Sequence, residues 1–308
     1  MPGVLKWSAR AASAAAQSGC SSILLAAAIA FLTVGAVVFA VWRVTGDDAW
    51  VIEYFRVPGA LLLVTLAGVE LWLSLRVCRE FSPGEPMRVA WRLIACSAGC
   101  DALGAVCVQI LGSESRLNPL PASSPAALGF RQFGLALGGP LRFTLLAAGL
   151  YFALRVYRRA GFLARLNRLD WLILAPIAVY IGIEFGGLIA AIENGRRPGL
   201  GEALNWPVDP VLWVLLAQAM LLSRSVQIMG GGWIGRCWKA FSLGVLLVAL
   251  GDIGLWAVNS GLLPWPWAAL TWYFWAPAAT AFAMAPAYQL QVIRYAYEGR
   301  TSADWESR

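Results

Sequence analysis

Long apolar runs, separated by short polar or charged connections, repeat along the whole chain. A helix needs about 20 mostly apolar residues to cross the hydrocarbon core of a bilayer. This pattern predicts eight transmembrane helices, at about 22–43, 57–78, 89–111, 135–157, 170–192, 209–229, 239–260 and 266–291. We therefore predict an all-α, polytopic integral membrane protein in which residues 1–308 form a single membrane domain.

Several segments between and beside these spans have other expected roles. Residues 112–132 are rich in Pro and Ser, which predicts a loop on the outer side of the membrane. Residues 292–308 are expected to form a short cytoplasmic tail. The aromatic residues Trp272, Tyr273 and Trp275 lie near the start of the last span, which is typical of an interfacial aromatic belt.

The Lys and Arg residues predict the orientation of these spans. Seventeen of the 24 basic residues fall on the side that holds both termini, and seven fall on the other side. Cytoplasmic loops carry an excess of Lys and Arg, so this bias predicts cytoplasmic N and C termini. An even number of spans agrees with that orientation.

Composition supports a membrane location and argues against a nucleic-acid partner. The chain is 59% hydrophobic and 13% charged, with a mean hydropathy of +0.66, whereas soluble proteins carry roughly 25% charged residues. Its net charge of +7 comes from short basic runs between apolar segments, a topology signal rather than a groove-binding patch. The lipid bilayer is the expected partner, and compact loops without eukaryotic targeting signals favour a bacterial inner membrane.

The connection between the fourth and fifth spans is strongly basic. Phe162, Leu166 and Leu169 recur there at helical spacing, which predicts a helix lying at the inner leaflet. Its arginines would contact anionic lipids, or alternatively dock an acidic cytoplasmic partner. These arginines are Arg158, Arg159, Arg165 and Arg168.

The candidate chemistry lies in four acidic residues well inside predicted spans, namely Glu70, Asp101, Glu184 and Asp252. An ionisable group in hydrocarbon costs at least ~2.5–3.5 kcal/mol, so each should face protein or trapped water. Together with Tyr180, one turn before Glu184, they are candidates for an ion or substrate pathway. The alternative is neutral carboxyl groups that only provide hydrogen bonds between helices.

The surroundings of Asp101 suggest where its partners lie. Ser97, one turn earlier, is expected to donate a hydrogen bond to it, and Gly104 continues a stripe of small residues that lets another helix approach closely. Arg142 is the basic residue deep enough in a span to be its charge partner.

Spacing also suggests an internal repeat. Arg88 precedes Asp101 by 13 residues, and Lys239 precedes Asp252 by 13. Four crossings return the chain to the same side, so the spans could form two parallel four-helix halves, a known transporter plan.

The absence of histidine excludes several kinds of chemistry. Ser-His and Cys-His catalysis, His-ligated haem and the common catalytic zinc sites all need that residue. Cys96, Cys100 and Cys107 share one stripe of the third span, where they are expected to pack as small apolar residues. We predict no metal and no cofactor.

These observations favour a small-solute or ion-coupled transporter that uses carboxylates inside the membrane. The alternative is a sensor or scaffold subunit whose basic cytoplasmic loops dock a partner. A membrane enzyme acting on lipid comes last, because no catalytic motif is present.

Overall fold

The computed structural model describes residues 2–47, 51, 53–108, 125–195, 208–228, 232–264, 267 and 270–306. Every regular element within these ranges is helical, and no strand occurs among them. The predicted all-α class is confirmed.

Eight helices, one of them in two parts, make up the described chain. They are α1 (Pro2–Thr45), α2 (Ala60–Glu80), α3 (Pro86–Val106), α4a (Pro125–Ala136), α4b (Arg142–Arg159), α5 (Arg168–Glu193), α6 (Val208–Ile228), α7 (Gly232–Asn259) and α8 (Trp272–Glu306).

Two short π-helical turns interrupt the regular helices. Phe55–Gly59 leads into α2, and Leu137–Leu141 joins α4a to α4b. Each turn contains a proline, Pro58 or Pro140. Proline has no backbone N–H, so one α-helical hydrogen bond is missing there and the wider turn takes its place.

Within the described residues, seven helical segments are long and apolar enough to cross a membrane. They lie in α1, α2, α3, the joined α4, α5, α6 and α7. The chain is thus a multi-pass membrane protein. The eighth predicted span lies in α8, which is long enough but has alanine, proline and aromatic residues where the others have leucine, isoleucine and valine. The cytoplasmic placement of the termini and the internal repeat stay predictions.

Six helices form a closed ring. Each packs against the next in the order α2, α3, α4b, α6, α7 and α8, and α8 returns to α2. Outside this ring, α1 packs against α8 and α5 packs against α6. Large apolar side chains cover the outer surface of α1 and α5, for example Ile29, Val37, Leu172 and Val179, which is the surface that lipid requires.

The two halves of the ring are filled differently. We call "outer half" the half that contains the C-terminal ends of α3 and α7 and the N-terminal ends of α6 and α8, and "inner half" the opposite one. The inner half is packed with buried side chains from every ring helix, including Trp91, Trp238, Phe241 and Leu290. The outer half contains a cavity.

The predicted loop over 112–132 is wrong in its last part. Helix α4a begins at Pro125, so residues 125–132 are helical, and residues 109–124 lie outside the described ranges. Proline is well tolerated in the first helical turn, where its missing N–H would have no partner anyway. The tail predicted at 292–308 continues α8 as helix to Glu306.

The helix predicted at the inner leaflet between the fourth and fifth spans is also wrong. Helix α4b ends at Arg159, and residues 162–167 have no regular structure. Gly161 adopts φ +78°, a left-handed conformation that ends the helix. Asn167 then caps α5 through a reciprocal capping box with Asp170, so the chain restarts as a separate helix.

Candidate functional site

A cavity of about 490 Å³ lies in the outer half of the bundle, lined by ring helices and by α5. Four of the five residues predicted for an ion or substrate pathway line it, namely Asp101, Tyr180, Glu184 and Asp252. They come from three different helices, α3, α5 and α7. The fifth, Glu70, is buried in α2 and contacts the cavity residue Arg142.

Arg142 joins two of the predicted acids. Its Nη1 donates to Asp101 Oδ1 at 2.6 Å, and its Nη2 lies 3.6 Å from Glu70 Oε2. Arg142 is only 8% exposed and Glu70 only 2%, so solvent screens these charges weakly and they interact strongly. One guanidinium therefore links α2, α3 and α4b.

Ser97 has a different partner from the one expected. Its hydroxyl donates to the backbone carbonyl of Arg142 at 2.8 Å, and not to Asp101. This bond ties the first residue of α4b to α3. It therefore fixes the backbone from which the guanidinium reaches Asp101.

Glycines allow α4a to lie close against α3. A Cβ atom on Gly104 would lie 2.8 Å from the backbone oxygen of Gly134 and 2.8 Å from the backbone nitrogen of Gly138. Only residues without a side chain permit such an approach. The π-helical turn that follows delivers Arg142 directly to Asp101.

A second group of acids lies on another side of the cavity. Glu184, Asp209 and Asp252 line the cavity together with Tyr180, and the three carboxyl groups are close enough to influence one another electrostatically. We call Glu184, Asp209 and Asp252 the acidic triad. Carboxylates this close repel one another unless a proton or a cation is shared between them.

Tryptophan side chains complete this part of the lining. The indole Nε1 of Trp275 donates to Asp252 Oδ1 at 3.2 Å. Trp256 packs edge-on against Tyr180, with ring centroids 5.7 Å apart. Trp272 also lines the cavity, so aromatic rings lie beside the carboxylates.

Each aromatic residue that α8 contributes to the cavity packs directly against a glycine. The nearest approaches of a Cβ placed on the glycine are 2.8 Å for Gly59 to Trp272, 2.5 Å for Gly251 to Trp275 and 2.9 Å for Gly244 to Phe282. A side chain at any of these glycines would displace the ring. The glycines therefore determine the position of the aromatic wall of the cavity, which consists of Trp272, Trp275 and Phe282.

Aromatic packing closes the cavity toward the inner half. The guanidinium carbon of Arg142 lies 4.8 Å from the ring centroid of Phe282. Phe282 packs on Phe241, which packs on Trp91 and Trp238. These side chains are all buried, so no wide passage continues through this cluster.

Some sequence predictions do not lead to this cavity. The arginines proposed for lipid or partner contact are exposed at the opposite, inner end of the bundle, namely Arg158, Arg159, Arg165 and Arg168. The cysteines of α3 do not act as one packed stripe, because Cys96 is exposed while Cys107 is buried.

Four contributors to the site do not follow from the sequence predictions. Asp209 lies at the edge of a predicted span and Arg131 in a predicted loop, yet both line the cavity. Trp272 and Trp275 do not form an interfacial belt, since they are only 1% and 8% exposed. The one available signal was their regular spacing with Phe282 along one face of a helix.

Among the residues whose positions are described, no three His, Cys, Asp or Glu side chains are arranged to hold a metal ion. No protein-family model, curated protein or solved structure matches the chain. The function is therefore inferred from the geometry of the cavity.

Proposed function

We propose that the protein is a small-solute or ion-coupled transporter that binds its solute in the outer-half cavity. The observation that supports this most directly is the convergence of Asp101, Glu184 and Asp252, from three helices, on one cavity. Ionisable residues inside a membrane bundle mark substrate and ion pathways far more often than they mark plain structural contacts.

The two acidic groups have different roles in this proposal. Asp101 is held by Arg142 and serves to link α3 to α4b. We assign the uptake of a proton or a cationic solute to the acidic triad, whose three carboxyl groups line the same cavity. Release of that cation would restore the repulsion among the three carboxylates.

The arrangement of the ring is compatible with alternating access, in which the cavity opens first to one side of the membrane and then to the other. Its order, α2–α3–α4b followed by α6–α7–α8, is the one that two parallel halves would produce. The third and fourth helices of each half are bonded through an aspartate, Asp101 to Arg142 and Asp252 to Trp275. Rocking of one half against the other would have to separate Phe241 from Phe282.

A ligand-sensing membrane subunit is the second candidate. The close packing of Trp91, Trp238 and Phe241 across the inner half favours it, because a sensor needs no passage there. The exposed Arg158 and Arg159 at the inner end would then contact anionic lipid or an acidic partner. In both candidates we place the termini in the cytoplasm of a bacterial cell and the helices in its inner membrane.

Flux measurements on reconstituted protein separate the candidates. Proteoliposomes containing a trapped pH dye are given an inward proton gradient, with and without a panel of small solutes. We expect solute-dependent proton movement that Asp252→Asn and Asp101→Asn abolish, while Asp47→Asn, in an exposed connection, behaves as wild type. If neither proton nor solute moves in the wild type, transport is wrong and the sensor remains.

A further inference from the structure

The shape and charge of the cavity define a class of ligand, and this inference rests on the proposed function by naming the substrate of the same cavity. We propose that the cavity binds an organic cation, a substituted ammonium compound held between tryptophan faces and the acidic triad. A cavity of about 490 Å³ lies within the roughly 300–1,000 Å³ range of small-molecule sites.

The net charge of the lining favours a cation. Four carboxylates line the cavity, Asp101, Glu184, Asp209 and Asp252, against two arginines, Arg131 and Arg142. Arg142 is already engaged by Asp101 and by the buried Glu70 behind it. The lining thus contains more acidic than basic groups, in a region of low dielectric constant where a monovalent cation is strongly attracted.

The aromatic residues favour an organic cation over a bare metal ion. Trp256 and Trp275 line the same side of the cavity as the acidic triad, and Trp275 is bonded to Asp252. Substituted ammonium groups bind tightly to the faces of tryptophan and tyrosine, because their methyl groups spread the positive charge over an apolar surface. A bare metal ion would instead require converging oxygen ligands, and no such group of three occurs in the described part of the chain.

Two buried polar atoms on the cavity lining indicate that a ligand is expected there. Glu184 Oε2 is buried and accepts no hydrogen bond from the residues described. Trp272 is 1% exposed, and its Nε1 donates none within the same ranges. Buried polar atoms are nearly always bonded, and an ammonium ligand bearing a hydroxyl group would serve both. Its positive charge would form an ion pair with Glu184, and its hydroxyl oxygen would accept a hydrogen bond from Trp272.

Choline is a suitable probe because an uncharged analogue of the same shape exists, which we call its neutral twin. In 3,3-dimethylbutan-1-ol a carbon replaces the quaternary nitrogen, so the shape and the hydroxyl group are kept and the charge is lost. Binding of each compound to the purified full-length protein in nanodiscs is measured by calorimetry and by tryptophan fluorescence. We expect choline to bind at least about tenfold more tightly than its neutral twin.

Variants then locate the site. Asp252→Asn keeps an acceptor for Trp275 but removes the charge, and we expect it to weaken choline binding by about tenfold or more and to leave the affinity of the neutral twin unchanged. Asp47→Asn should match the wild type for both compounds. The comparison of two ligands on the wild-type protein keeps the test meaningful even if a variant does not fold.

Other outcomes overturn the proposal. Equal affinity for choline and its neutral twin would mean that charge is not recognised. If neither choline nor tetramethylammonium bound at millimolar concentration, an organic cation would be rejected. Binding heat measured with sodium chloride or with protons, in the absence of any organic cation, would reject it as well. Choline binding without any flux in proteoliposomes would instead reject transport and keep the cation site, so the two proposals fail separately.

Discussion

The guanidinium of Arg142 and the carboxylate of Asp101 lie 2.6 Å apart inside the helix ring. Because Arg142 also faces the buried Glu70, its removal would take a positive charge away from two carboxylates at once. Breaking a buried pair by removing one partner is typically far more costly than replacing the whole group.

Arg142→Met should therefore destabilise the protein strongly, by about 3–5 kcal/mol in the free energy of unfolding. Adding Glu70→Gln to Arg142→Met removes one of the two carboxylates that lost their contact with the guanidinium, and it should recover part of that loss. Unfolding followed by tryptophan fluorescence in nanodiscs measures both. If Arg142→Met alone were as stable as the wild type, the contacts of Arg142 with Asp101 and Glu70 would contribute nothing to stability.

Gly251→Ala should disturb the aromatic wall of the cavity. A Cβ at this position would lie 2.5 Å from the indole Nε1 of Trp275, so Trp275 must move and its bond to Asp252 is lost. Overpacking of this kind costs roughly 1–3 kcal/mol, which would appear as a lower melting temperature.

Gly254→Ala is the matched control on the same helix, since its Cβ would meet only Thr271 Cγ2 at 3.6 Å, an ordinary contact. The double variant Gly251→Ala with Trp275→Phe should be more stable than Gly251→Ala alone, because the smaller ring leaves room for the methyl group. Equal melting temperatures for the two alanine variants would contradict the steric argument.

Asp170 should be important for the inner end of α5. Its carboxylate accepts from the backbone N–H of Asn167 at 2.8 Å and from Arg224 Nη2 at 3.0 Å, and it is 4% exposed. Asp170→Ala removes the capping box and leaves Arg224 unpaired, so we expect a loss of about 1–3 kcal/mol. The exposed neighbour Arg168→Gln should stay within about 0.5 kcal/mol of the wild type in the same unfolding assay.

Labelling can establish the orientation of the helices. In a cysteine-free background, Asn194→Cys and Arg159→Cys place single thiols at exposed positions on opposite ends of the bundle. A membrane-impermeant maleimide should label Asn194→Cys on intact cells and Arg159→Cys only after the membrane is opened. The reverse pattern would invert the positive-inside assignment.

The positions of the membrane-spanning segments could be predicted because membrane thickness sets the length of an apolar run. The placement of the four acids against protein or the cavity was predictable for a similar reason, since lipid excludes their charge. Arg142 followed from both arguments, being the deepest cation. These inferences depend on the bilayer as a solvent and need no knowledge of how helices pack.

The remaining features depend on contacts between helices. Trp272 and Trp275 lie near the end of a span, where an interfacial belt and a buried cavity lining have the same sequence pattern. The two indoles are buried because Gly59 and Gly251, elsewhere in the fold, leave room for them. Asp209 lies at the first turn of α6, so its position next to Glu184 depends on how α5 packs against α6. Ser97 could reach Asp101 by spacing alone, but the approach of α4b offered it a better acceptor.

Helix α8 combines modest hydropathy with a central position in the ring. A helix that meets protein on most of its surface gains little by being apolar, and packing instead selects small and aromatic side chains such as Ala276, Ala283 and Phe282. Such a segment partitions into a bilayer poorly by itself. Since it follows the other five ring helices along the chain, α8 would be synthesised when they are already present, and its stable insertion would require them as a template. Assembly of the ring and formation of the cavity would then be completed in the same step of biogenesis.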